Sequence, residues 1–115
     1  MNTPEISVIM SAYNSENTVE ESLRSILDQT FSGFELILID DGSTDRTADK
    51  IRSIRDPRIV FMDNPSNIGL TRSLIKGAEA ARGEYIARQD ADDISLPVFS
   101  TASSIYSVTE RNAGL

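Results

Sequence analysis

The chain has no cysteine and no histidine among its 115 residues. Without cysteine there is no disulfide, no zinc–thiolate site and no thiol nucleophile, although its absence does not decide the compartment. A surplus of positive charge is lacking as well. Eleven Lys and Arg stand against 18 Asp and Glu, and the net charge of −7 disfavours nucleic acid or an anionic membrane as a main partner. A nucleotide ligand remains compatible with that acidity, because a bound cation reverses the local sign. Long apolar runs are missing too: Ile6 to Met10 is far too short for a signal-peptide core or a membrane span, and no basic region precedes it. A cytoplasmic location is therefore expected. Neither a Gly-x-Gly-x-x-Gly fingerprint nor a Walker P-loop occurs, which removes the main support for dinucleotide and kinase-type readings. No internal repeat or low-complexity stretch is visible. The hydrophobic fraction of 39% and charged fraction of 25% are those of a soluble globular protein. The length allows one core, and is small for a complete enzyme of two-substrate chemistry.

What the chain does have is carboxylates at the ends of apolar runs. Asp90-Ala91-Asp92-Asp93 follows Gly83-Glu84-Tyr85-Ile86-Ala87-Arg88, and Asp40-Asp41-Gly42-Ser43 ends Phe34-Glu35-Leu36-Ile37-Leu38-Ile39. Hard divalent cations such as Mg²⁺ or Mn²⁺ take oxygen ligands of this kind and commonly share their shell with substrate phosphates.

The pattern between these clusters alternates strand and helix. Ile6 to Ala12 reads as a buried strand, followed by a helix capped by Ser15 or Asn17. Its stripe is Val19, Leu23, Ile26 and Leu27, and it is expected to stop near Thr30. Phe34 to Ile39 is the second strand. Asp41 to Asp45 is turn chemistry capping a helix with Ala48, Ile51 and Ile54 inward, broken at Asp56-Pro57. Arg58 to Met62 is a third strand, Leu70 to Ala81 a helix with Leu70, Leu74, Ala78 and Ala81 as its stripe, and Glu84 to Gln89 a fourth strand. The tail from Val98 to Leu115 has a poor pattern and reads at most as a weak, loosely held helix. The expected fold class is α/β, an open, mostly parallel sheet with helices on both faces. In such sheets ligands sit beyond the C-terminal ends of the strands, where Tyr13, Asp40, Asp41 and the Asp90 to Asp93 cluster all fall.

Each motif also has a plain structural reading. Asp90, Asp92 and Asp93 could form a solvated loop and cap before Leu96-Pro97. A metal site is preferred because three carboxylates at the end of a buried strand repel one another until a cation binds. Asp40 and Asp41 could serve only a strand-to-helix turn, or could accept a hydrogen bond from a base, with Gly42 allowing close approach. Tyr13 is either an ordinary loop aromatic or a stacking platform for a nucleobase. Asn67-Ile68-Gly69 is a helix start that could face phosphate. Arg72 and Arg88 could neutralise phosphate or be salt-bridged.

Taken in order, these segments resemble the nucleotide-binding half of the family-two glycosyltransferases, which have the A-type, Rossmann-like fold. The resemblance runs through Ile6-Ser7-Val8-Ile9-Met10-Ser11-Ala12-Tyr13-Asn14, Ser25-Ile26-Leu27-Asp28-Gln29-Thr30-Phe31, Phe34 to Asp45, Asn67-Ile68-Gly69-Leu70 and Gly83-Glu84-Tyr85-Ile86-Ala87. Asp90-Ala91-Asp92-Asp93 resembles the family's Asp-x-Asp metal motif. The resemblance implies an inverting transfer of sugar from a nucleotide-diphosphate donor, of uridine or thymidine type, to a hydroxyl of a glycan or lipid-linked sugar. It also implies that Ser11, Tyr13, Asp40, Asp41 and Asp90 line the donor site, Tyr13 stacking on the base and Asp41 bonding its edge. Asp92, with Asp90, would hold Mg²⁺ or Mn²⁺. The match covers residues 1–97 as a nucleotide-sugar-binding domain, and residues 98–115 are a divergent tail. Val98-Phe99-Ser100-Thr101 departs from the family's basic amphipathic helix, and Leu74-Ile75 stands where many relatives have Asn near Ile75 and Arg or Leu just before it. The acceptor half and its general base are expected beyond Leu115, leaving an incomplete enzyme whose exposed apolar surface favours self-association. The alternatives are a non-catalytic nucleotide-binding or interaction module and a receiver-type signalling domain. The latter predicts an acidic pair after the first strand and a Lys after Lys76, and neither is present.

Overall fold

The computed structural model describes residues 4–28, 33–90 and 105–107. Among these residues five strands form one sheet in the order β3-β2-β1-β4-β5. β1 (Ile6–Ala12), β2 (Phe34–Asp41), β3 (Ile59–Asn64) and β4 (Tyr85–Asp90) are parallel, and β5 (Ile105–Ser107) runs antiparallel to β4. The helices α1 (Val19–Leu27), α2 (Thr47–Ser53) and α3 (Leu70–Ala80) connect the parallel strands.

Alternation along β1 and β2 divides the core between the two faces of the sheet. Val8, Met10, Ala12, Leu36 and Leu38 pack with Val19, Leu23 and Ile26 of α1 and Ile51 of α2. Ile9, Ile37, Ile39 and Ile86 pack on the opposite face with Leu74 and Ala78 of α3. Every residue of β2 is buried, which explains its unbroken apolar sequence. The open α/β sheet expected from the alternation is therefore the architecture observed.

Several local expectations change. β2 runs two residues past Ile39, because β3 extends to Asn64 and supplies ladder partners: Asp40 pairs with Asp63, and Asp41 with Asn64. α1 ends at Leu27, short of Thr30, and Thr18 rather than Ser15 or Asn17 occupies its N-cap, with no side-chain cap bond. Ser15 contributes instead through its carbonyl, which accepts the N–H groups of Thr18 and Val19 at 3.0 and 2.8 Å. α2 starts at Thr47, beyond both Asp41 and Ser43, and Asp45 Oδ1 accepts the Thr47 N–H at 2.9 Å. On α3 the buried residues are Ser73, Gly77 and Ala78, while Leu70 is 49% exposed. Within the tail, Ile105 to Ser107 is strand where a weak helix was expected, two of its three residues being of β-favouring type.

Candidate functional site at the C-terminal strand ends

Strand order reverses at β1: its first crossover leads to β2 on one side, while β4 lies on the other. A crevice beyond the strand ends at such a switch point is where α/β sheets bind ligands. The register assembles that edge. Ser11 pairs with Ile39 on one side and Asp90 on the other, and Ala12 pairs with Asp40. Ser11, Tyr13, Asp40, Asp41 and the backbone of Asp90 thus come from the ends of three adjacent strands. Asp92 and Asp93 lie outside the described residues.

Tyr13, directly after β1, is 48% exposed. Its loop is fastened to the loop after β2. The Asn14 N–H donates to Ser43 Oγ at 2.9 Å, and Asn14 Oδ1 accepts the Thr44 N–H at 2.8 Å. The Ser15 N–H donates to Thr47 Oγ1 at 2.7 Å, and Lys50 Nζ donates to the Glu16 carbonyl at 2.6 Å.

Asp40 and Asp41 are adjacent and both buried, each 2% exposed, but alternation sends them to different surroundings. Asp40 accepts the Ser43 hydroxyl and faces Asp63 across the ladder. Burial pushes its carboxyl above the ordinary value; Ser43 opposes this and the Asp63 charge adds to it. Asp41 serves as an anchor for the β3–α3 loop. Its Oδ1 accepts Asn64 Nδ2 at 3.0 Å and the Ile68 N–H at 2.8 Å, and its Oδ2 accepts the Gly69 N–H at 3.0 Å. Burial raises the Asp41 carboxyl, but the bonds from Ile68, Asn64, Gly69 and Ser73 outweigh it and leave the group below the ordinary value. A carboxylate has about four acceptor positions, so Asp41 has little capacity left for a ligand. Gly42, at φ +73°, completes the junction: a Cβ there would lie 2.5 Å from the backbone of Ser66 and Asn67.

Asn14, Asp63 and Asn64 join this edge as well, although no motif in the sequence gives them a role. Their signal was the one used for the other residues, position at the C-terminal end of a strand. Arg72 is exposed in the first turn of α3, and Arg88 is exposed on β4 at the level of Ile9, two residues short of Asp90. Among the described residues no group of three His, Cys, Asp or Glu side chains is arranged to hold a metal ion. No helix among them is long and apolar enough to cross a membrane.

Comparisons with known proteins bear on the family and the fold. The family model for glycosyl transferase family 2 matches residues 7–99. An uncharacterized glycosyltransferase of Haemophilus influenzae is 42% identical over 113 residues, covering 96% of this chain and 34% of the relative. S. aureus TarS 1–349 in complex with UDP superposes with a TM-score of 0.76 at 30% identity, over 82% of this chain and 29% of that one. The mannosyltransferase PcManGT of Pyrobaculum calidifontis, in complex with GDP-Man and Mn²⁺, gives a TM-score of 0.76 at 25% identity, over 90% of this chain and 32% of that one. The chain spans about a third of the length of such relatives. A family model matched from β1 to beyond β4, on a sheet whose acidic strand ends converge at its switch point, places the chain in glycosyl transferase family 2.

Proposed function

We propose that this chain binds the nucleotide-diphosphate sugar donor of a metal-dependent, inverting glycosyltransferase. The observation that carries the reading is the convergence of Tyr13, Asp40 and Asp90 on three neighbouring strand ends within the family-matched segment. Tyr13, exposed after β1, offers a ring face for the base. Ser11, Asp40 and Asp41 stand at the adjoining ends of β1 and β2, where Asp41 acts chiefly by fixing the loop that borders the site.

The donor set fits a hard cation, since β4 delivers the start of the Asp90-Ala91-Asp92-Asp93 run beside Ser11, with Asp40 across β1. Asp90 and Asp92 would hold Mg²⁺ or Mn²⁺; the use of a divalent cation, though not the choice of residues, is supported by the PcManGT complex with GDP-Man and Mn²⁺. When bound, the cation stabilises negative charge growing on the leaving diphosphate. In the transfer, an acceptor hydroxyl oxygen forms a bond to the anomeric carbon as the bond to diphosphate breaks on the opposite side. The hydroxyl proton needs a base at the acceptor, and no described carboxylate is assigned that role. The acceptor class proposed is a glycan or lipid-linked sugar. The donor base proposed is uracil or thymine, a choice that UDP in the TarS complex supports and GDP in PcManGT sets as the competitor.

Calorimetric titration of UDP and of GDP, with Mn²⁺ and then with chelator, tests the reading. Saturable UDP binding that chelation abolishes is expected. Asp92→Ala is expected to remove the Mn²⁺-dependent part while circular dichroism stays unchanged, and undiminished affinity in that variant refutes the metal assignment.

A further inference from the structure

Asn14 is the one non-glycine residue at positive φ among the described residues, at 48°. Asparagine enters the left-handed region more readily than most side chains, yet such a conformation persists only where the surroundings over-determine it. Here three bonds do so, and all of them reach the loop after β2. The Asn14 N–H donates to Ser43 Oγ at 2.9 Å. Its Oδ1 accepts the Thr44 N–H at 2.8 Å and the Thr44 hydroxyl at 3.3 Å. The Ser43 hydroxyl in turn donates to Asp40 Oδ1. A continuous chain therefore runs from the residue next to exposed Tyr13, through Ser43, to the buried carboxylate at the end of β2.

The geometry points to Asn14 as a positioning residue for the nucleoside end of the donor. By bridging Ser43 and Thr44 it holds the loop that presents Tyr13 at the end of β1, whose neighbour Ala12 is in register with Asp40. The inference rests on the donor-binding reading above. Its physical content is pre-organisation: a loop already ordered in the free protein loses less conformational freedom when a base docks on it.

Asn14→Gly tests this, because glycine keeps the positive φ accessible while deleting the Oδ1 acceptor. Two readouts are taken, amide hydrogen exchange over residues 13–16 and 44, and titration in Mn²⁺ with UDP or GDP, whichever the parent binds more tightly, alongside inorganic pyrophosphate. The variant is expected to exchange faster at those amides with an unchanged melting temperature, and to bind the nucleotide about five- to tenfold more weakly. Pyrophosphate, which carries no base, is expected to bind both proteins alike. Asn14→Asp, which retains an oxygen at the accepting position, should restore the slow exchange. Should Asn14→Gly fold poorly, Ser43→Ala removes the companion tie, the acceptor of the Asn14 N–H, and is expected to speed exchange at the Asn14 amide and to weaken nucleotide but not pyrophosphate binding. Equal nucleotide affinity in parent and variant, unchanged exchange, or parallel losses for nucleotide and pyrophosphate would each overturn the positioning role. A parent that binds neither UDP nor GDP instead removes the donor reading, and this inference with it.

Discussion

Asp40 and Asp41 separate because successive side chains on a strand point to opposite faces. Asp41 meets amide and side-chain donors on the α3 face, whereas Asp40 meets burial and Asp63, eased by Ser43. The consequences for stability have opposite signs. The folded Asp41 carboxyl releases its proton more readily than in the unfolded chain. Its contribution is therefore complete above the ordinary value of 3.8 and is lost as pH falls through its lowered value. Asp40 holds its proton more tightly when folded, so its ionisation costs stability at neutral pH, and that cost fades as pH falls through its raised value toward 3.8. Asp41→Asn places an amide nitrogen against N–H donors, and is expected to lower stability at neutral pH by about 2 kcal/mol. Urea unfolding over a pH series checks both the size of the deficit and its narrowing below pH 3.8. The Asp pair was legible in the sequence as a strand-end cluster. Its division into a loop anchor and a strained acid was not, since that depends on Asn64 and Asp63, which β3 brings alongside from over twenty residues away.

At the scale of elements, α3 shows most clearly what a hydrophobic stripe can miss. Of the expected stripe, Leu74, Ala78 and Ala81 pack against the sheet while Leu70 is 49% exposed, and the stripe misses the buried Ser73 and Gly77. Small residues let the backbone approach, and a Cβ on Gly77 would lie 2.7 Å from Ile9 Cγ2 and 2.9 Å from Ile39 Cδ1. Replacing an interior helix glycine with alanine ordinarily gains up to about 1 kcal/mol. Overpacking a filled core costs roughly 1–3 kcal/mol, so the close approach wins. Gly77→Ala is expected to destabilise the protein by about 1 kcal/mol, read from the denaturation midpoint. A rise in the midpoint would show that α3 can shift outward freely. The strands were legible because unbroken β-branched runs need burial on both faces. Their ends were less so, because ladder partners set them: β2 continues through two aspartates only because β3 is there to pair with them.

The two ends of the sheet differ across the whole molecule. Opposite the candidate site, Ser7 Oγ donates to Glu35 Oε2 at 2.6 Å, and the Arg82 N–H and Nε donate to the two Glu35 oxygens at 2.7 and 3.0 Å. The Gly83 N–H donates to Ser7 Oγ at 2.8 Å, which ties the approach to β4 to β1. Glu35 is 3% exposed, and its removal leaves the Ser7 hydroxyl and the Arg82 N–H without their acceptor. Glu35→Ala is expected to cost about 2–3 kcal/mol of stability. Nucleotide titration of the folded variant should stay within about twofold of the parent, because Glu35 lies six residues from Asp41 along β2. A loss of affinity without a loss of stability would contradict this separation of the two ends. The open parallel α/β class was legible from the strand–helix alternation, and with it the candidate edge at the C-terminal strand ends, whereas the strand order and the antiparallel β5 were not. Glu35 itself was hidden, being a charged residue in a strand whose every side chain is buried.

The sheet has one further property, which concerns how it stops. β3 is one of its two outer strands and offers an unpaired backbone edge among the described residues, with Val60 37% exposed. Such an edge is a template on which another chain can add a strand. Here Pro57 and Pro65, which have no N–H to donate, bracket the six residues of β3. Beside it Arg52 stacks on the Phe61 ring at 5.2 Å and pairs with Asp63 at 2.7 Å. An incoming strand would find a short ladder closed by proline at both ends and would have to desolvate a charged pair. The molecule thus resists fibrous growth at this margin through its own side chains.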